Sequence, residues 1–296
     1  DGAKASRWLK IPLIGLSFQT SSLAIVVLMV YVANYLSKIH IKKLKFKDSI
    51  IPLWTPVIFI LLLILPSNFS TVIIIFISVI LLAFLAGYPL KYLSIIITFS
   101  LICFVFFILI AKSYPELIPN RIDTWISRID NFSSSTESGS ESYQVERAKI
   151  AISTGEIFGL GAGKSVMKNF LPQSSSDFIY AIIVEEYGLI GGAFVIILYL
   201  LLLFRILVVS YKAKSFFGKL ITISVGLPII IQAFLNIGVA VNIFPVTGQT
   251  LPLISSGGTS VWMTCISFGI ILSVSSFYLN DEKNMVNIEE NKYSEQ

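Results

Sequence analysis

Asp177 is the residue whose type and setting best suit chemistry. It follows Leu171-Pro172-Gln173-Ser174-Ser175-Ser176 and opens a long apolar run. A carboxylate at the boundary between water and an apolar phase can serve as a general base or a metal ligand. A plain role competes with this: Ser174 to Asp177 has capping-box spacing, and an acid at a helix start is favoured by free N–H groups and the dipole. Glu185 and Glu186 follow within the same run, about 12 Å deeper at about 1.5 Å per residue. A charge at the bilayer centre costs at least about 2.5 kcal/mol. Two adjacent acids there are either structural, one protonated and the other paired or facing water, or they mark a substrate or proton path.

Basic residues cluster upstream. Arg121, Arg128, Arg147, Lys149, Lys164 and Lys168 are interspersed with acids. They read as a solvated mixed surface or as a site for phosphate or pyrophosphate. Arg7-Trp8 reads first as an interfacial anchor. The segment from Pro245 to Gly258 is dense in Pro and Gly yet largely apolar, and no charge falls within Leu220–Asn280. Such backbone cannot continue a helix. It reads as a structured outer turn or as a segment dipping back to line a cavity, where irregular backbone is tolerated at membrane depth.

These residues need elements to position them. Of 296 residues, 55% are hydrophobic and 13% charged, against about 25% charged in soluble domains. That excludes an ordinary soluble enzyme and a disordered chain. The single His40 and the two cysteines in apolar runs, Cys103 and Cys265, exclude a His-based metal centre and a disulfide framework. Gly159 to Ser165 lacks the spacing of a phosphate loop. Apolar runs near the length of about 20 residues needed to span a bilayer lie at Ser17–Leu36, Ser49–Leu65, Ser70–Gly87, Tyr92–Ala111, Asp177–Phe204, Leu220–Val241 and Thr259–Leu279. The expected fold is an all-α polytopic membrane helix bundle of seven spans, forming a single integral membrane domain over residues 1–279.

Lysine and arginine orient it. Lys38, Lys42, Lys43, Lys45 and Lys47 fall in one loop, and Arg205, Lys212, Lys214 and Lys219 in another. Such loops face the cytoplasm. The large loop 112–176 then faces outside, with short interfacial helices over Lys112–Asn131, a mobile Ser-rich stretch over Phe132–Ser142 and an amphipathic helix over Tyr143–Thr154. The Glu-rich tail 280–296 is expected to be cytoplasmic and disordered.

Three segments carry a resemblance. One runs from Gly2-Ala3 through Arg7-Trp8 to Phe18-Gln19. The second joins Gly159-Leu160-Gly161, Gly163 and Ser165 to Leu171-Pro172, Asp177-Phe178-Ile179 and Glu185-Glu186-Tyr187-Gly188. The third holds Pro245, Thr247-Gly248, Leu251-Pro252, Ile254-Ser255 and Gly257-Gly258. Together they resemble the shape, elongation, division and sporulation family of bacterial membrane proteins, the FtsW/RodA group. Thr247-Gly248-Gln249-Thr250 and Gly258-Thr259-Ser260 look closer to its division branch.

The resemblance implies a ten-span protein whose fourth to tenth spans stand here, the chain being N-terminally truncated. It implies a glycosyltransferase that polymerises lipid II into peptidoglycan at the outer face of the bacterial cytoplasmic membrane, at the division septum. The essential acid falls on Asp177, as base or metal ligand. The Arg-Trp pair falls on Arg7 and Trp8, and the Tyr-Gln pair on Tyr143 and Gln144. Arg147, Lys168, Pro172, Glu185 and Glu186 join the expected substrate-binding set. So do Thr247, Gly248, Pro252, Ser255, Gly257 and Gly258 from the Pro/Gly-rich segment. Lys168, Arg147 or a divalent cation (Mg or Mn) would neutralise the pyrophosphate, and an apolar cavity beside the segment would hold the polyprenyl tails. No other cofactor is implied. The implied partners are a class B penicillin-binding transpeptidase and other division-complex membrane proteins, with no role for nucleic acid.

There are departures. The family's Pro-Ser-Glu is here Thr20-Ser21-Ser22, Ile25 stands at its Lys position, and Pro66-Ser67-Asn68 replaces its Pro-Asp. Two rival classes therefore stay open: a lipid II flippase or other transporter, and a non-catalytic scaffold of the division complex.

Overall fold

The computed structural model describes residues 8–10, 17–39, 46–113, 140–171 and 174–294. Arg7 and Pro172 lie outside the described residues, as do most of the stretches read as interfacial helices and a Ser-rich loop.

The architecture is helical, as the composition requires. Helix α1 spans Thr20–Ile39. Helix α2, Phe46–Ser49, runs through a π-helical turn at Ile50–Trp54 into α3, Thr55–Ile64, making one rod. The π turn falls where Pro52 and Pro56 withhold their N–H groups from the α-helical ladder. The Tyr31 hydroxyl donates to the Pro52 carbonyl and ties the rod to α1. Then come α4 (Phe69–Leu85), α5 (Leu90–Ser113), α6 (Ser140–Gly155), α7 (Ile179–Lys212), α8 (Phe216–Ala240) and α9 (Gly258–Ser294).

Six of these rods are long and apolar enough to cross a membrane, and α4, with 17 residues, is a shorter apolar helix. Their positions match the seven apolar runs of the sequence. One feature was not expected: Trp8–Lys10 (β1) and Ser17–Gln19 (β2) pair antiparallel, Trp8 opposite Gln19.

Helix α8 is the axis of the bundle. Buried residues make up 67% of its apolar window, and it packs on α1, α4, α7 and α9. Two apolar clusters flank it. One gathers Ala148 and Ala151 of α6, Phe178, Val184 of α7, Ala233 of α8 and Leu251. The other joins Leu28 and Val32 of α1 to Leu53, Val57, Val79 and Leu82. Helix ends carry local signals. Asn68 Oδ1 accepts from the Thr71 N–H to start α4, and Ser215 Oγ accepts from the Gly218 N–H to start α8. Gly87, at φ +80°, closes α4 with the Tyr88 N–H returning to the Ala83 carbonyl at 3.0 Å.

Helix α7 is not continuous. Gly188 takes φ +71°, ψ −173° and breaks it one turn below Glu185. The freed backbone groups are bonded to the chain after α6. Leu160 and Gly161 donate to the carbonyls of Glu185 and Glu186, both at 2.9 Å, and Leu189 donates to Glu156 at 2.9 Å. Three glycines allow this approach. A Cβ on Gly155 would lie 2.0 Å from the Val184 carbonyl oxygen, one on Gly159 2.2 Å from that of Glu186, and one on Gly188 2.1 Å from that of Ile157.

Helix α9 runs on through Ser294. Extension onto an existing helix avoids the nucleation cost that a free segment of this composition would meet.

Gly188→Ala meets both a forbidden φ and a backbone oxygen, so it should destabilise by more than about 3 kcal/mol. Gly269→Ala, in α9 with nothing within 4 Å of its Cβ, should be neutral or gain up to about 1 kcal/mol. Thermal unfolding of the two variants in detergent checks the contrast.

Candidate functional site

Asp177 sits in a turn just ahead of α7 and is 7% exposed. The helix is capped at Phe178, which is fully buried, and no side chain caps it. The capping-box reading of Ser174 and Asp177 is therefore not realised: packing of the Phe178 ring starts the helix later. Asp177 Oδ1 instead accepts from the Ser176 hydroxyl at 2.7 Å. Its Oδ2 faces Gly248, where a Cβ would stand 3.6 Å away.

Gly248 belongs to the Pro/Gly-rich segment, which lies against the bundle as a collar around Asp177. Every tie is a neutral hydrogen bond. Ser255 Oγ donates to the Ser176 carbonyl at 2.5 Å, and the Ser256 N–H to the Ser175 carbonyl at 3.0 Å. Ser70 Oγ donates to the Thr247 carbonyl at 3.0 Å, and the Tyr199 hydroxyl to the Pro252 carbonyl. Gln249 is buried and donates to Asn68 Oδ1 and Thr71 Oγ1 at the start of α4, both at 3.2 Å. Irregular backbone is thus satisfied within the protein, as an apolar surrounding demands. Gly248 faces Asp177 and Ser255 reaches the preceding Ser176, while Thr247 and Pro252 are tied to Ser70 and Tyr199, and Gly257-Gly258 lead into α9.

Two residues of this site were not singled out in the sequence. Gln232 donates to the Thr250 carbonyl at 2.8 Å. Asn236 donates to the carbonyls of Asp177 and Gln249 at 2.8 and 2.7 Å. The available signal was their spacing: two amides four apart share one face of an otherwise apolar helix.

Glu185 and Glu186 divide. Glu185 is fully buried, and its carboxylate accepts from the Ser165 hydroxyl and from the N–H groups of Val166 and Met167 at 3.0 and 3.2 Å. Its partners among the described residues are a hydroxyl and two backbone donors. Glu186 is half-buried beside the break. Arg147 lies near Tyr143 one helical turn away, its guanidinium 4.8 Å from that ring and 5.7 Å from the Phe170 ring. Its Nε is buried without a hydrogen bond, and two aromatic faces flank the guanidinium. Gln144 is half-buried on the same helix, and Lys168 is exposed in the short 3-10 turn Met167–Asn169. The backbone of Trp8 lies in β1.

Among the described residues no group of three His, Cys, Asp or Glu side chains is placed to hold a metal. Asp177 contributes one carboxylate, and the collar carbonyls named above already accept hydrogen bonds.

Ser22 and Ile25, at positions where the resemblance implies Glu and Lys, both line a small cleft of about 50 Å³ between α1, α8 and α9. Its other polar walls are Gln232, Ser260, Thr264 and Ser267, all neutral. Ser22→Glu alone would leave an uncompensated charge there and should lower stability by about 2–4 kcal/mol. Adding Ile25→Lys, one turn away, should recover most of that loss. Thermal unfolding of the single and double variants checks it.

Residues 2–279 match the model of the FtsW/RodA/SpoVE family, described as cell cycle proteins. The probable peptidoglycan glycosyltransferase FtsW of Hydrogenovibrio crunogenus is 33% identical over 279 residues, covering 93% of this chain and 68% of that protein. The protein of the same description from Wigglesworthia glossinidia brevipalpis is 34% identical over 285 residues, covering 94% and 71%. Among solved structures, a chain of a peptidoglycan synthase complex superposes with a TM-score of 0.66 at 22% identity, covering 94% of this chain and 76% of that one. The rod shape determining protein RodA of Thermus thermophilus gives 0.60 at 22% identity, covering 93% and 71%. These two likenesses are of fold. With the family model spanning nearly all of it, this multi-pass membrane chain belongs to the FtsW/RodA/SpoVE family of cell cycle proteins.

Proposed function

We propose that this protein is a peptidoglycan glycosyltransferase that polymerises lipid II at the outer face of the cytoplasmic membrane. The observation that carries the reading is a buried carboxylate, Asp177, bonded by the Ser176 hydroxyl and faced by a glycine. The printed function of the relatives supports it. The positive-inside pattern puts this end of α7 on the outer side.

The chemistry follows from the group. The acceptor is a sugar 4-hydroxyl, essentially unionised at neutral pH. As its oxygen attacks the anomeric carbon of the donor, its proton passes to an Asp177 carboxylate oxygen. The bond from that carbon to the diphosphate oxygen breaks, the polyprenyl diphosphate leaves with the electron pair, and the configuration inverts. Ser176 donates to Oδ1, and Oδ2 lies on the side of the exposed Gly248, whose lack of a side chain adds no bulk beside it. Arg147, stacked on aromatic rings, and the exposed Lys168 supply positive charge for the leaving diphosphate. A divalent ion bound to the diphosphate would add to that charge. A class B penicillin-binding transpeptidase is the natural partner, cross-linking the strands at the division septum.

The test is lipid II polymerisation in proteoliposomes by the native protein with its transpeptidase partner, compared with Asp177→Asn. Loss of a general base costs about 10²–10⁴-fold, so native protein should yield glycan chains and the variant none at matched times. An Asp177→Asn protein polymerising at the native rate would overturn the assignment. Labelled lipid crossing the vesicle membrane without polymer would point to a transporter. Neither activity, with the partner still bound, would point to a scaffold.

A further inference from the structure

Asn236 is 1% exposed on α8 and reaches both the backbone of Asp177 and the collar. A side-chain amide has two N–H protons. Here one goes to the Asp177 carbonyl and the other to the Gln249 carbonyl. The Asp177 carbonyl precedes the helix cap at Phe178, whose own carbonyl accepts the first helical bonds from Ala181 and Ile182. Gln249 follows Gly248, the residue that faces Asp177 Oδ2. One amide therefore ties the Asp177 main chain directly to the collar edge that faces its carboxylate, alongside the Ser255 and Ser256 bonds to the preceding turn.

We propose that Asn236 is a positioning residue for Asp177, fixing the carboxylate in register with the approach past Gly248; the role rests on the glycosyltransferase reading above. Other side chains cannot replace it. A hydroxyl offers one proton, a carboxylate offers none, and glutamine carries the same donors a methylene further out. The Asn236 Oδ1 is buried with no hydrogen-bond partner. An acceptor left unsatisfied in the core is a burden on stability, so the amide serves through its two donors. A general base must stand within hydrogen-bond reach of the proton it takes, and a displacement of about 1 Å can cost about 10²-fold in rate.

The experiment compares native protein, Asn236→Leu and Asn236→Gln, full chain with its partner, in lipid II polymerisation. Thermal unfolding supplies the folded fraction. Asn236→Leu removes both donors at similar volume, while Asn236→Gln keeps both and displaces them. For both, turnover per folded molecule should fall about 10- to 100-fold, with KM for lipid II within about twofold of native. A cross-link of purely structural importance would lower the unfolding temperature and leave turnover per folded molecule unchanged. That result, or native turnover in Asn236→Gln, overturns the proposal. Failure of both variants to fold also overturns it, since the role would then be structural. Native protein that makes no polymer defeats the glycosyltransferase reading itself, and this role with it.

Discussion

Backbone polar groups buried away from water must find partners, and in lipid there is no solvent to supply them. This constraint governs the two irregular places in the bundle. At Gly188 a broken helix takes its missing partners from residues 156–161, and the reach is possible because Gly155, Gly159 and Gly188 carry no side chain. In the collar, loop carbonyls are taken by Asn236, Gln232, Ser70 and Tyr199. Asp177 stands in the turn between these two repairs.

That placement sets the Asp177 carboxylate beside the Ser176 hydroxyl and the backbone edge of Gly248, while the Asn236 amide holds the carbonyl of the same residue. In the lining shared by Ser22 and Ile25, hydroxyls and one amide occupy walls where the resemblance implies opposite charges.

Much of the fold was legible because hydrophobic length is a strong signal. Each apolar run became a helix, and Asp177 stood out as an acid at the start of one. The register of α7 was not legible, because buried Phe178, not the Ser174 spacing, sets where the helix begins. Nor was the break: Gly188 lies in a continuous apolar run, and only its contact with Ile157 shows why φ turns positive there. Glu185 stood out as a charge inside a span, but sequence does not reveal that its partners are the hydroxyl and amides of residues 165–167. The β1–β2 pairing was invisible for a simpler reason: three-residue strands carry no periodicity.

The glycine frame has a consequence for genetics. A screen for loss of function would rank Gly155, Gly159 and Gly188 beside Asp177, since all four would score as null. The glycine alleles would fail through the quantity of protein that survives in the cell, and the aspartate allele through its turnover. Only the latter class could leave an assembled but idle copy able to compete with the wild type, so dominance in a mixed population would separate the frame from the chemistry.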